Sequence, residues 1–184
     1  MRIVVISGTN REDAKTTLVA RRLRARYDAQ PGVEASLLDL ADLPESLLSP
    51  KAYAKKPAEF QPFAESVLGA DGLVVVTPEY NGGMPGVLKL FIDMLPFPES
   101  FEDRPVSYVG IAAGQFGGLR PVEHLQQVFG YRNALNYPRR VFIPAVGSVV
   151  KAEGGLAKHE FGDRLREQAK GFAAYCRSLG SLKD

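Results

Sequence analysis

The most informative stretch of the chain is LVVVTPEYNGGMPG, residues 73–86. It begins with a continuous apolar run, which is typical of a β-strand that is covered on both faces. It then changes to a loop rich in proline and glycine, and a helical pattern follows over residues 85–95. A buried strand that leads through a loop into a helix is part of a βαβ unit, so the stretch predicts a parallel sheet.

The same alternation runs through the whole chain. Strands are predicted at residues 3–6, 33–40, 73–77, 106–112 and 141–143, with apolar positions after the last one reaching residue 150. Helices are predicted at residues 16–29, 58–70, 85–95, 119–131 and 156–179. Residues 41–58 are rich in proline and serine, and a connection this long is usually functional or mobile. With no break in composition, the pattern predicts one flavodoxin-like α/β domain over residues 1–184. This domain is a three-layer sandwich around a five-stranded parallel sheet of order 2-1-3-4-5.

The composition of the chain argues against several kinds of partner. The formal net charge is only +2, with acids and bases interleaved, which argues against a nucleic-acid partner. The basic residues of segment 21–26 are predicted to be the solvated face of a helix. No apolar stretch approaches the length of a membrane span, so no membrane partner is expected. The start of the chain does not resemble a signal peptide, and the single cysteine excludes an internal disulfide, so we expect a cytoplasmic protein.

In a doubly wound sheet, ligands bind beyond the carboxyl ends of the strands, near the switch point between strands 1 and 3. The loop after strand 1, SGTNREDAKTT, residues 7–17, combines hydroxyl groups with the cations Arg11 and Lys15. It leads into a helix N-terminus, which favours an anion such as a phosphate. The alternative is an ordinary capped helix start, with Thr16 or Asp13 as the N-cap.

Two nucleotide-binding motifs are disfavoured in this loop. A Walker A loop requires a second glycine where the chain has Ala14, and the spacing from Gly8 to Lys15 is one residue too long. The dinucleotide fingerprint GxGxxG is absent after strand 1. A single terminal phosphate is therefore favoured.

The loop after strand 3 is suited to a flat ligand. Gly82 and Gly83 let the main chain approach closely, while Tyr80 offers an aromatic wall. Asn81 can both donate and accept hydrogen bonds, as the edge of a heterocycle requires. The alternative is a plain strand-to-helix loop with Pro85 in the first helical turn.

The loop after strand 4, residues 112–118, is glycine-rich and is placed to form a third wall of the same pocket. Its backbone N–H groups could face a ligand on which negative charge develops. An ordinary turn into the next helix explains this loop equally well.

The stretch TPEYNGGMPGVLKLFID, residues 77–93, closely resembles the strand-3 motif of the NAD(P)H-dependent FMN reductase family: PEYN, then PG-x-LK and an aspartate. The loop GTNREDAKTT, residues 8–17, is similar to that family's phosphate loop, and the likeness covers residues 3 to about 120. The resemblance implies FMN as cofactor, rather than FAD, and NADPH or NADH as co-substrate. It also implies hydride transfer to flavin N5, followed by electron transfer to a small acceptor such as a quinone, azo compound, metal ion or free flavin.

The resemblance also implies site residues. The phosphate segment corresponds to Thr9, Arg11, Ala14, Lys15, Thr16 and Thr17. The ring loop corresponds to Pro78, Glu79, Tyr80, Asn81 and Gly82, and the third flavin loop to Ala113, Gly114, Gln115 and Gly117. The chain departs from the family at Ala14 and Ala113, where serine is frequent, and at Leu90, Phe91 and Met94, where Asn, Ala and Trp are common.

No acid–base or nucleophile set is recognisable, so the chemistry is assigned to the cofactor. His124 and His159 lack metal-ligand spacing and are predicted to lie on the surface, whereas Cys176 is predicted to be buried. The helix after Pro85 is apolar around much of its circumference, which predicts a homodimer or tetramer. A flavodoxin-type electron carrier and a flavin-free phosphate-binding protein remain alternatives; the positive balance and the PEYN motif count against the carrier.

Overall fold

A computed structural model describes residues 1–151 and 159–180 of the chain, with only the backbone described at His159. The strands are β1 (Arg2–Ser7), β2 (Glu34–Asp39), β3 (Gly72–Pro78), β4 (Pro105–Ile111), β5 (Leu135–Asn136) and β6 (Val141–Ile143). The helices are α1 (Lys15–Asp28), α2 (Gln61–Leu68), α3 (Gly86–Met94), α4 (Leu119–Tyr131), α5 (Val146–Val149) and α6 (His159–Gly180). None of the described helices is long and apolar enough to cross a bilayer.

The sheet is parallel and its order is β2-β1-β3-β4-β5, which confirms the predicted topology. Strand β1 lies between β2 and β3, where Val4 is in register with Ser36 of β2 and with Leu73 of β3. The chain therefore leaves the sheet in opposite directions after β1 and β3, and the crevice of the switch point opens between their carboxyl ends.

The predicted fifth strand is wrong in one respect, because two short strands share the outer position beside β4. Strand β5 pairs with the beginning of β4, and β6 pairs with its end. Pro138, which has no N–H group to donate, lies in the gap between them. The buried Gln168 of α6 bridges the gap, since its Nε2 donates to Tyr108 O at 2.8 Å and to Arg139 O at 2.9 Å. Beyond β6 the chain forms the short helix α5 instead of continuing as a strand to residue 150.

Alternate residues of the central strands enter two separate cores. Ile3 and Val5 pack with α1 and α6 on one face. Val4 and Ile6 pack with α2, α3 and α4 on the other face. Both faces of the sheet are therefore covered, which explains why its strands are continuous apolar runs.

The connection after β2 is more ordered than predicted. Short 3-10 turns occupy Leu40–Asp42, Glu45–Leu48, Pro50–Tyr53 and Ala58–Phe60. The predicted start of the last helix at residue 156 lies outside the described residues. The oligomer prediction was based on seven apolar side chains of α3 and its end: Val87, Leu88, Leu90, Phe91, Ile92, Met94 and Leu95. All except Val87 and Leu90 are buried within the chain, so most of this apolar surface is used inside the fold.

Candidate functional site

The three predicted loops leave the carboxyl ends of β1, β3 and β4, which are neighbouring strands. The first loop turns sharply at Gly8, whose N–H donates to Val76 O at 2.8 Å. A Cβ atom on Gly8 would lie 2.8 Å from that oxygen and 2.9 Å from Leu88 Cδ2. Only glycine fits here, so the loop is held against β3 from its first residue.

The loop ends in an uncapped helix. Ala14 is the N-cap of α1 and gives the first turn no side-chain hydrogen bond, so the prediction of Asp13 or Thr16 as the cap is wrong. Thr16 is buried, and Thr17 Oγ1 lies 2.9 Å from Ser7 Oγ. The N–H groups at a helix start carry partial positive charge and bind anions well when no side chain occupies them.

Cations lie beside this helix start. Arg11 is exposed and Lys15 is half-buried, and both line a cavity of about 470 Å³ beside the loop. The same cavity is lined by Arg21 and by four carboxylates: Glu12, Asp13, Asp39 and Asp42. Free N–H groups with nearby cations fit a phosphate monoester.

The second loop forms a tight turn. Tyr80 and Gly83 exchange two backbone hydrogen bonds of 3.0 Å. Between them, Asn81 has φ of 51° and Gly82 has φ of 76°, as in a type I′ turn. The turn therefore requires glycine at position 82. It leaves Asn81 exposed at its tip.

Side-chain hydrogen bonds tie the loops together. Tyr80 OH lies 2.8 Å from Thr9 Oγ1, which joins the second loop to the first. Arg120 Nη1 of α4 donates to Glu79 Oε1 at 3.1 Å, which joins the second loop to the helix that follows the third. The other carboxylate oxygen of Glu79 is buried and has no hydrogen-bond partner among the described residues. Pro78, just before this pair, is buried at the end of β3.

The third loop crosses directly over β4. Gly117 and Gly118 have φ of 58° and 83°, and a Cβ atom on Gly110 would lie 2.6 Å from Gly118 O. Of the four predicted residues here, Gly117 is buried beneath the loop and shapes it. The other three are exposed at the rim of the site: Ala113, Gly114 and Gln115.

Three side chains beside the second loop were not among the predicted site residues: Phe116, Arg120 and His124. His124 is exposed, as predicted, yet its Nδ1 lies only 3.6 Å from the position that a Cβ atom on Gly83 would occupy. Arg120 and His124 are four residues apart on α4, so they share one face of that helix. This spacing directly after a glycine-rich loop was the available sequence signal.

The described residues contain no other obvious chemistry at this edge. Within residues 1–151 and 159–180, no group of three His, Cys, Asp or Glu side chains could hold a metal ion. Cys176 is buried, as predicted, and burial is the main reason why its pKa is raised to about 12. Its Sγ lies beside Gly72, the first residue of β3, at the amino end of the strands and so at the opposite end of the sheet from the site. The arrangement fits a flat cofactor that carries one phosphate and supplies the reactivity itself.

A flavodoxin-like sheet with an uncapped helix start and a tight turn at its switch point is typical of flavoproteins of the oxidoreductase class. The chain belongs to the NADPH-dependent FMN reductase family, whose model matches residues 1–147. It is 33% identical over 154 residues to an NAD(P)H-dependent FMN reductase of Pseudomonas aeruginosa, covering 81% of this chain and 82% of that relative. It is also 32% identical over 148 residues to a quinone reductase of Escherichia coli, covering 79% and 78%.

The comparison with solved structures agrees with the flavodoxin-like fold. The flavoenzyme NAD(P)H:(acceptor) oxidoreductase of Paracoccus denitrificans has a TM-score of 0.77 at 21% identity, with 97% of this chain and 98% of that chain covered. The family match and its named relative confirm three predictions made from the sequence. These are the resemblance based on the PEYN motif, the enzyme class, and the use of FMN with a nicotinamide nucleotide.

Proposed function

We propose that this enzyme transfers electrons from NADPH or NADH through FMN to a small acceptor, and that quinones are the favoured acceptors. The observation that carries the proposal is the uncapped start of α1 beside the turn at residues 80–83, with Thr9 and Tyr80 hydrogen-bonded between them. The similarity to a quinone reductase supports the acceptor class.

Each predicted site residue has a role in this proposal. The helix start binds the phosphate, through backbone N–H groups near Ala14 and Thr16 and through the cations Arg11 and Lys15. Thr9 and Thr17 hold the loop in shape through their hydrogen bonds to Tyr80 and Ser7. Pro78, Glu79, Tyr80, Asn81 and Gly82 would hold the ring together with Ala113, Gly114 and Gln115, while the buried Gly117 shapes the third loop.

FMN, when bound, supplies the hydride-transfer chemistry. The protein would contribute position: the turn at residues 80–83 would fix one edge of the ring, and backbone N–H groups of residues 113–115 would stabilise negative charge that develops on it. Because Ala113, Gly114 and Gln115 are exposed, we propose that one face of the bound ring would be open to both substrates.

Absorption spectroscopy tests the cofactor. We expect purified protein to be yellow, or to become yellow with FMN, and to bind FMN more tightly than FAD because the site provides for one phosphate. A colourless protein that does not quench FMN fluorescence would exclude the proposal. NADPH oxidation upon adding a quinone separates an enzyme from a flavodoxin-type carrier.

Steady-state kinetics test the shared open face. With NADPH and a neutral quinone, we expect parallel lines in double-reciprocal plots, because the first product leaves before the acceptor binds (a ping-pong scheme). Intersecting lines would indicate that both substrates bind together, which contradicts a single shared face.

We propose a homodimer or a dimer of dimers that forms through the outer faces of α3 and α4. Tyr131 is 82% exposed and Phe97 57% exposed at the end of this surface. Val87 and Leu90 are only half-buried on α3, and a cavity of about 310 Å³ lies between the two helices. Burying these apolar groups favours association. Light scattering at micromolar concentration tests the proposal, and a monomer would reject it.

We also propose that residues 1–184 form one domain and that the protein works in the cytoplasm. The sheet extends from Arg2 to Ile143, and α6 packs back onto α1, β4 and β6. The single cysteine is buried and free, which suits a reducing compartment. Limited proteolysis tests the first point, and cell fractionation tests the second.

A further inference from the structure

Three side chains border the site without a role in binding FMN: Phe116, Arg120 and His124, here called the rim cluster. Phe116 belongs to the third loop, whereas Arg120 and His124 lie one turn apart on α4. Arg120 Cδ lies 3.9 Å from the position that a Cβ atom on Gly82 would occupy, and His124 Nδ1 lies 3.6 Å from the same position on Gly83. Arg120 and His124 therefore lie directly against the turn at residues 80–83, and Phe116 lies beside Arg120.

The rim cluster combines an aromatic ring with a guanidinium group. The Arg120 guanidinium carbon lies 5.7 Å from the centroid of the Phe116 ring, within cation–π range. Arginine has five N–H donors, and one of those on Arg120 is used by Glu79. Because the Arg120 side chain is 55% exposed, further donors remain accessible to a ligand.

A purely structural role explains only part of this geometry. A clamp on Glu79 accounts for the ion pair of 3.1 Å. It does not account for Phe116, which is 52% exposed and packs beside the guanidinium instead of entering the core. An exposed aromatic ring beside a planar cation matches a ligand that is itself aromatic and carries negative charge.

We propose that the rim cluster selects acceptors that are planar aromatic anions, such as quinones bearing a sulfonate or carboxylate. The anionic group meets Arg120, with His124 as a second hydrogen-bond donor, and the acceptor ring lies against Phe116. The inference rests on the proposed function. The reaction is NADPH + H⁺ + quinone → NADP⁺ + hydroquinone: the hydride supplies two electrons and one proton, solvent supplies the second proton, and the anionic substituent is unchanged.

The test compares 1,4-naphthoquinone-2-sulfonate with neutral 1,4-naphthoquinone, using the FMN-loaded enzyme and NADPH. The quantity measured is the ratio of their kcat/KM values, in wild type and in Arg120→Gln. Since Arg120 also holds Glu79, the variant changes both rates, and the ratio cancels that shared effect. We expect the ratio to fall about tenfold or more, because a charge-assisted hydrogen bond to the sulfonate is lost. Arg164→Gln, at an exposed position of α6 on the other face of the sheet from α4, is the matched control and should keep the wild-type ratio.

Two measurements on the wild type make the result independent of the variant's folding. The KM for the sulfonate should rise with ionic strength while that for the neutral quinone stays constant. Calorimetry should show tighter binding of 2-naphthalenesulfonate, which cannot be reduced, than of 2-naphthalenemethanol. An unchanged ratio in Arg120→Gln, an equal fall in Arg164→Gln, or equal binding of the two naphthalenes would overturn the inference. Failure to reduce neutral naphthoquinone would instead count against the proposed function.

Discussion

Replacing Arg11 with alanine removes an exposed cation at the start of α1 without disturbing the fold around it. The backbone N–H of Arg11 donates to Thr9 Oγ1 at 3.2 Å, and that contact survives the substitution. No ion pair among the described residues involves the Arg11 side chain, so little is lost within the protein. A guanidinium can meet two phosphate oxygens, and a hydrogen bond to a charged group contributes about 1.5–3 kcal/mol. Arg11→Ala should therefore weaken FMN binding by about ten- to a hundredfold.

The assay titrates apoprotein with FMN and with riboflavin and follows the quenching of flavin fluorescence. Riboflavin lacks the phosphate, so its affinity should be the same in wild type and in Arg11→Ala. Arg164→Ala, on the exposed face of α6, removes the same charge far from the site and should change neither affinity. The reasoning is refuted if Arg11→Ala loses equal affinity for both ligands, or loses none for FMN.

Three further predictions follow from other contacts. Gly110→Ala should destabilise the protein by about 1–3 kcal/mol and weaken FMN binding, because its Cβ would meet Gly118 O at 2.6 Å; Gly147→Ala, with open space around it, should be neutral in thermal unfolding. A denaturation double-mutant cycle of Tyr80→Phe and Thr9→Val should give a coupling of about 0.5–1.5 kcal/mol, and zero coupling would show that the 2.8 Å contact contributes nothing. Burial favours the neutral thiol of Cys176, so its contribution to the free energy of unfolding is constant below pH 9.0 and is lost as the pH rises toward about 12. Cys176→Ala should therefore flatten the decline in stability between pH 9 and 10.5 by about 1 kcal/mol per unit, and an unchanged slope would contradict this.

The sheet order was predictable from sequence because its strands are buried on both faces and read as continuous apolar runs. The division of the outer strand was not, since it depends on Gln168, whose amide reaches Tyr108 O from 60 residues away. Local sequence also suggested the wrong helix cap. Tertiary hydrogen bonds hold the first loop, including one from Thr9 to a residue 71 positions later, so α1 starts without a side-chain cap.

The site was predictable to the extent that it lies in loops. A run of proline and glycine after a buried strand marks where the backbone must turn, and residues 80–83 form such a turn. The rim cluster was missed because a long side chain from a helix can reach several loops, and only the folded chain shows that Arg120 reaches Glu79.

The break between β5 and β6 also affects how the molecule behaves at high concentration. Unpaired backbone groups on an outer strand can recruit a strand of another molecule and start edge-to-edge aggregation. Here the outer position holds two residues of β5 and three residues of β6, and the segment between them contains a proline. An incoming strand therefore meets no continuous row of backbone hydrogen-bonding groups. At the opposite edge, β2 places the exposed Glu34 and Ser36 along its length. Neither border of the sheet offers a long apolar template, so the folded chain is protected against fibre growth at both sides.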